Sequence, residues 1–292
     1  MHKLVSIIFL FSVAGVFSQS IENVDFRAEG KTIVVTYDFF HTKADTAINV
    51  ELVFKDQQGV VVTPKTMTGS IKNVKPGESN RIVWDILTDG ITLSGKYKAE
   101  VNIIRFNSVK IGNQIWMTEN LNVDRFQNGD IIKEAKTAEE WIAAGNAKSP
   151  AWCYYDNDPK NGKKYGKLYN WYAVNDTRGL ATDGWHAPTD KEWTVLSTFL
   201  GGEDVAGKKM KSTSGWNVNG NGTNSSGFLG LPGGCRCYGG NFRNVGENGQ
   251  WWSASEYNET NAWTRTLHYN TSSLSGAIYD KWYAFSVRCI KD

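Results

Sequence analysis

The groups in this 292-residue chain that can do chemistry are four cysteines, four histidines, scattered carboxylates and an unusual number of indoles. Cys235 and Cys237 flank Arg236, and residues at i and i+2 of an extended segment share a face. This close pair is expected to bond to each other or to stay reduced. Cys153 and Cys289 are then the expected disulfide, among the connectivities open to four cysteines. No C-x-x-C pair occurs and His2, His41, His186 and His268 are scattered, so the spacing of a structural zinc site is missing. His186 lies in Gly184-Trp185-His186-Ala187-Pro188 and reads as a structural residue leading into a helix rather than as a general base. Asp156, Asp158 and Asn161 in Asp156-Asn157-Asp158-Pro159-Lys160-Asn161-Gly162 are calcium candidates, but Lys160 occupies the fifth, ligand position of such a loop. A polar turn is the better reading, and no cofactor is expected. No Gly-x-Ser-x-Gly, Walker-type or dinucleotide fingerprint appears.

The indoles offer a different chemistry. Trp116, Trp171, Trp185, Trp193, Trp251, Trp252, Trp263 and Trp282 are expected mainly to fill a core, each burying roughly 150–250 Å². A few left outside would form a platform for sugar rings. The C–H face of a sugar is weakly apolar and its hydroxyls need polar partners, so an aromatic beside Asn or Arg supplies both. Neighbours in a strand point to opposite faces, so Trp251 and Trp252 are both buried only if both faces are covered. Trp252 with Tyr238, Asn241 and Arg243 is therefore the expected ligand face. Glycan or cell-surface polymer is the favoured ligand. The polar run Asn219-Gly220-Asn221-Gly222-Thr223-Asn224-Ser225-Ser226 is either a binding loop or a linker. Carboxylates that cleave glycosides need only closeness in space, which leaves an extracellular enzyme as the alternative and a structural surface component as the third reading.

Hydrophobic residues make up 40% and charged residues 21%, a balance that supports a sizeable core and excludes a largely disordered chain. The 32 basic and 30 acidic residues leave a formal charge of +2, too little for a general field toward nucleic acid. Lys3 followed by the apolar run from Leu4 to Phe17 has the form of a secretory signal peptide, with cleavage expected after Ser18. No later stretch is long and apolar enough for a transmembrane span. The chain is thus expected to be secreted, extracellular or at the cell surface.

Eleven of the 12 Trp lie after residue 115 and all four Cys after residue 150, so two domains are expected, 20–105 and 106–292. In the first, Ile33, Val35, Tyr37 and Phe39 alternate with polar or outward residues. So do Ile48, Val50, Leu52 and Phe54, then Ile82, Trp84 and Ile86, then Tyr97, Ala99, Val101 and Ile103. Turn signals separate these runs, as in Lys75-Pro76-Gly77-Glu78 and Thr88-Asp89-Gly90. Short strands without a helical period predict an immunoglobulin-like or fibronectin-III-like all-β sandwich. In the second domain Thr137-Ala138-Glu139-Glu140 and Thr189-Asp190-Lys191-Glu192 are capping boxes, each opening a helix. Trp193, Leu196, Phe199 and Leu200 form an apolar stripe, Gly201 stops that helix, and a third helix is expected over Glu203 to Lys211. Strands are expected over 227–231, 250–255, 262–267 and 284–290, giving an α+β layout.

Six motifs then occur in order: Lys110-Ile111-Gly112-Asn113-Gln114-Ile115-Trp116-Met117-Thr118-Glu119-Asn120-Leu121, Tyr165-Gly166-Lys167-Leu168-Tyr169-Asn170-Trp171-Tyr172-Ala173, Gly184-Trp185-His186-Ala187-Pro188-Thr189-Asp190-Lys191-Glu192-Trp193, Leu231-Pro232-Gly233-Gly234, Trp251-Trp252-Ser253, and the terminal Phe285-Ser286-Val287-Arg288-Cys289-Ile290-Lys291-Asp292. Together they resemble the Fibrobacter succinogenes major paralogous domain family over about residues 107–292. The resemblance implies a secreted or surface-associated domain with no established biochemical activity. The helix start Pro188-Thr189-Asp190-Lys191-Glu192-Trp193 and the late Trp- and Gly-rich strands also resemble the C-type-lectin-like fold, which the formylglycine-generating enzymes share. The calcium-and-sugar tripeptides Glu-Pro-Asn and Gln-Pro-Asp of that fold are absent, and Cys235-Arg236-Cys237 does not match the spacing of those enzymes' reactive pair.

Overall fold

Among the described residues, alternation and turn chemistry over 19–103 produce strands, whereas 107–292 mixes short helices with short strands. The computed structural model describes residues 19–41, 48–71, 74–103, 107–182 and 184–292. The expected signal peptide, 1–18, lies outside the described residues. The chain divides into two compact units between Arg105 and Phe106. The whole is a mixed β-sheet and α-helical, α+β architecture. No helix among the described residues is long and apolar enough to cross a membrane.

In the first unit the strands are β1 (Gln19–Glu29), β2 (Thr32–His41), β3 (Val50–Asp56), β4 (Val61–Val62), β5 (Met67–Gly69), β6 (Gly77–Trp84) and β7 (Tyr97–Ile103). They form a four-stranded sheet in the order β1-β2-β6-β5 and a three-stranded sheet in the order β4-β3-β7. Inward residues of both meet in one core: Val35, Tyr37 and Phe39 from β2, Leu52 and Phe54 from β3, Ile82 and Trp84 from β6, Val101 from β7. The Trp84 indole N–H donates to Asp89 at 2.8 Å, and Asp89 also takes the Lys65 and Thr66 amides. One carboxylate thus pins a buried indole and a turn together.

The second unit opens with β8 (Ser108–Ile111), β9 (Gln114–Met117) and β10 (Lys133–Glu134). Helix α1 (Ala138–Asn146) starts at the Thr137 box, in which Thr137 accepts from the Glu140 amide and Glu140 reaches back to the Thr137 amide. Then come β11 (Ala151–Cys153), α2 (Pro159–Tyr165), β12 (Leu168–Tyr169), α3 (Trp171–Val174) and β13 (Trp185–His186). Helix α4 (Asp190–Phe199) has the same reciprocal cap at Thr189 and Glu192. Helix α5 (Glu203–Met210) ends one residue before the expected Lys211, whose backbone turns extended. The remaining strands are β14 (Gly233–Arg236), β15 (Phe242–Val245), β16 (Asn248–Glu256), β17 (Asn261–His268), β18 (Leu274–Asp280) and β19 (Ile290–Lys291). Strands β16, β17 and β18 form an antiparallel meander.

Two expected strands do not form as such. Residues 227–231 run irregularly, with Leu229 at φ 56°, because the Phe228 and Leu229 carbonyls turn to the Arg288 guanidinium instead of a neighbouring strand. The segment 284–290 is extended but changes partner along its length. Ala284 pairs with Arg236, Phe285 with Tyr169, Ser286 with Trp251 and Ile290 with Trp116. The C-terminal segment thereby ties four separate parts of the unit to one another.

Tryptophan fills the interior on both sides of β16. Trp251 packs with Trp116, Trp193 and Phe228, while Trp252 packs on Phe285. Both rings are fully buried. Loops leave carbonyls that no strand or helix satisfies, and interior donors reach them. Trp141, Trp152, Trp171 and Trp252 donate their indole N–H to the carbonyls of Trp282, Ile132, Ser253 and Tyr169 at 2.8–2.9 Å. Buried Arg288 forks onto the Met117 and Phe228 carbonyls and the Asn120 side chain, and its guanidinium lies 4.4 Å from the Phe228 ring centre. Burial pulls its pKa down to about 9, which leaves it protonated at neutral pH.

The four cysteines are free, which corrects the expected Cys153–Cys289 bridge. Cys153 on β11 packs with Ala135, Trp141 and Leu168, whereas Cys289 packs in a separate cluster with Trp252, Phe285 and Val287. Burial pushes each of these thiols up to about 12. In native protein, Cys237 is expected to alkylate first, with all four thiols titrating only in denaturant and the melting temperature unchanged by reductant; mass spectrometry and calorimetry read these outcomes. Arg288→Met keeps much of the bulk and removes every donor, so urea unfolding is expected to report a loss of about 3–5 kcal/mol.

Candidate functional site

The hairpin β14–β15 carries three of the four residues expected to meet a ligand. Its register sets Cys235 opposite Arg243, so both side chains rise on one face. The tip, residues 237–241, closes through the Cys237 amide on the Asn241 carbonyl and the Gly240 amide on the Cys237 carbonyl. Tyr238, Asn241 and Arg243 are exposed. The base is anchored by buried Arg236, which donates to the Gly240, Ala135 and Thr137 carbonyls at 2.6–2.9 Å. Gly240 has φ +88°, and a Cβ there would meet the Ala138 side chain at 2.6 Å, so the tip lies close against the start of α1.

Trp252, the fourth expected residue, is not at this surface. Its ring is fully buried and its N–H is committed to the Tyr169 carbonyl, which corrects its assignment to an outer face. Both faces of β16 are covered, the condition under which two adjacent indoles are lost to the core.

Two residues that the sequence reading did not single out complete the surface. Tyr283 meets Tyr238 edge-on at 5.8 Å, stacks on Phe285 at 5.7 Å with 16° between planes, and meets Tyr279 edge-on at 5.2 Å. Tyr238 is 57% exposed, and Tyr279 and Tyr283 are half-buried. The three rings make a stepped shelf; Asn241 and Arg243 are exposed on the same hairpin as Tyr238, and partly exposed Cys237 lies near Tyr283. Burial, with the Cys237 and Tyr238 groups beside it, raises the Tyr283 phenol, keeping it a neutral hydrogen-bonding group. The i, i+4 spacing of Tyr279 and Tyr283 across the turn after β18 was the available signal, but their meeting with Tyr238 depends on chain segments about forty residues apart. A second pair, exposed Tyr257 and half-buried Trp263, meets at 5.4 Å. Trp263 faces Ile278 in the register of β17–β18, and Tyr279 faces Ala262, so this pair lies on the opposite face of the meander from Tyr279.

The calcium candidates are engaged otherwise. Asp158 caps α2 by accepting the Lys160 amide, and the Asn161 amide donates to the Tyr155 carbonyl. Among the described residues no group of three or more His, Cys, Asp or Glu gathers to hold a metal ion. The polar run 219–226 is tied to α5: the Thr223 and Ser226 amides donate to the Lys208 and Lys209 carbonyls.

His186 sits between two carboxylates, its Nδ1 2.6 Å from Asp292 and its Nε2 2.9 Å from Glu192. Burial alone would lower its pKa, but the two carboxylate contacts outweigh it and the pKa is raised from 6.5. Both ring nitrogens are occupied, so the imidazole works as a clasp joining β13, the cap of α4 and the last residue. The raised folded pKa means the clasp stabilises fully below about pH 6.5 and is lost as pH rises through the folded value. The melting temperature of the parent chain is expected to fall as pH rises above about 6.5, and His186→Gln is expected to flatten that slope.

No curated protein and no solved structure matches the chain. Residues 109–291 match the Fibrobacter succinogenes major domain, a span that includes His186, Glu192, the shelf and the indole core. The chain belongs to the Fibrobacter succinogenes major domain family.

Proposed function

We propose that this is an exported, non-catalytic binding protein whose second unit takes a glycan or cell-surface polymer on the shelf of Tyr238, Tyr283 and Tyr279. The observation that carries the reading is the contact of Tyr283 with Tyr238 and Tyr279 at the surface, at 5.8 and 5.2 Å, with Tyr238 on a hairpin that also exposes Asn241 and Arg243. Such a surface offers apolar ring faces for sugar C–H groups, phenol and amide groups for hydroxyls, and a guanidinium for an acidic substituent. Export is supported by the apolar run after Lys3. The four-plus-three strand arrangement of the first unit supports an immunoglobulin-like presenting module. Capped helices preceding a Trp-rich meander support a C-type-lectin-like body for the second.

A glycan array probed with the full chain lacking residues 1–18 is the direct test. Binding of at least one polysaccharide class is expected, at least tenfold weaker for Tyr238→Ala, with Tyr257→Ala on the opposite face of the meander unchanged. An array without binding, or equal binding by Tyr238→Ala, would overturn the reading.

A further inference from the structure

The first unit holds a feature that the shelf does not use. Strand β1 is one edge of the four-stranded sheet and β7 one edge of the three-stranded sheet. Among the described residues no strand pairs with the outer side of either. A groove of about 580 Å³ runs between them, with residues 21–26 as one wall and 97–102 as the other. In the seven-stranded constant-type immunoglobulin arrangement the smaller sheet carries a last strand at this place. Here the smaller sheet gains its third strand on the far side, at β4, and stops at β7.

We propose that this groove receives an extended peptide from a partner protein, apolar at alternate positions and basic between them, which adds a strand along β7. Three observations specify that occupant. First, an edge strand presents unpaired N–H and C=O groups, and an added strand satisfies them. The β1–β2 register also shifts between Glu22 and Asp25, with Asn23 at φ 51°, so β1 is interrupted where it lines the groove. Second, Ile21, Val24, Phe26 and Tyr97 are only partly buried although they pack against the core. An alternating strand would cover them with its apolar face. Third, the walls carry the acidic side chains Glu22, Asp25 and Glu100 against a single lysine, Lys98. Lys98 and Lys55 both bridge to Glu100, at 3.4 and 2.5 Å, and Glu22 and Asp25 have no basic partner among the described residues. Lysine or arginine on the outward face of the added strand answers that charge.

The probe is a labelled octapeptide of alternating valine and lysine, titrated into the full chain and followed by fluorescence anisotropy and amide hydrogen exchange. Saturable binding is expected, with new protection of the β7 amides. The double variant Glu22→Lys/Asp25→Lys, at two exposed positions, is expected to bind at least tenfold more weakly with an unchanged melt. A peptide of the same sequence N-methylated at alternate residues keeps the side chains and loses backbone pairing, so it is expected not to bind. The proposal is overturned if the octapeptide fails to saturate, if it binds without protecting β7, if the N-methylated peptide binds equally, or if the double variant binds as the parent does.

Discussion

Buried donors that reach the carbonyls of irregular backbone are the interaction on which the second unit depends. Its helices and strands are short, and long stretches such as 212–232 follow neither geometry. A carbonyl shut away from water without a donor costs about 1–3 kcal/mol, so a body built from loops is viable only if donors come from side chains. Arg236 and Arg288 each bind several carbonyls and have no carboxylate partner among the described residues. Lys211 binds the His268, Tyr269 and Thr271 carbonyls in the same way, and Lys167 binds Asn122. The negative ends of peptide dipoles replace the counter-ion, and aromatic faces complete the shell: Arg288 lies over Phe228, Lys167 over Trp152 and Lys211 over Trp216.

The same constraint explains why tryptophan rather than leucine fills this interior. An aliphatic core covers regular elements, whose backbones are already satisfied. Indole fills comparable space and adds one N–H that can be aimed at a loop. The first unit, built from strands, needs only Trp84, whose N–H goes to a turn carboxylate. The tryptophan-rich half is thus also the half with fewer ladder hydrogen bonds, although the buried Trp193 N–H finds no partner.

Local signals were legible in the chain and non-local ones were not. Both capping boxes name their helices because Thr137 and Glu140, or Thr189 and Glu192, satisfy each other within one turn. Helix α3 has four residues and is held by Asn170, whose side chain also takes the Ala151 amide from another segment, so its pattern does not stand out. The stretch 227–231 looks like a strand until Arg288, some sixty residues later, claims its carbonyls. At the shelf, Tyr238, Asn241 and Arg243 were readable as a polar, aromatic turn. The burial of Trp252 depends on Tyr169 and Phe285 arriving from elsewhere, and so does the contribution of Tyr279 and Tyr283.

The anchoring of the β14–β15 hairpin has an evolutionary corollary. Arg236 and Gly240 fasten the base of the loop to the start of α1, while the side chains of Tyr238 and Asn241 make none of those attachments. Exchanges at the exposed crest therefore leave those anchoring bonds in place. On the binding role proposed above, copies of such a domain change what they hold by exchanging a few crest residues, without rebuilding the scaffold beneath.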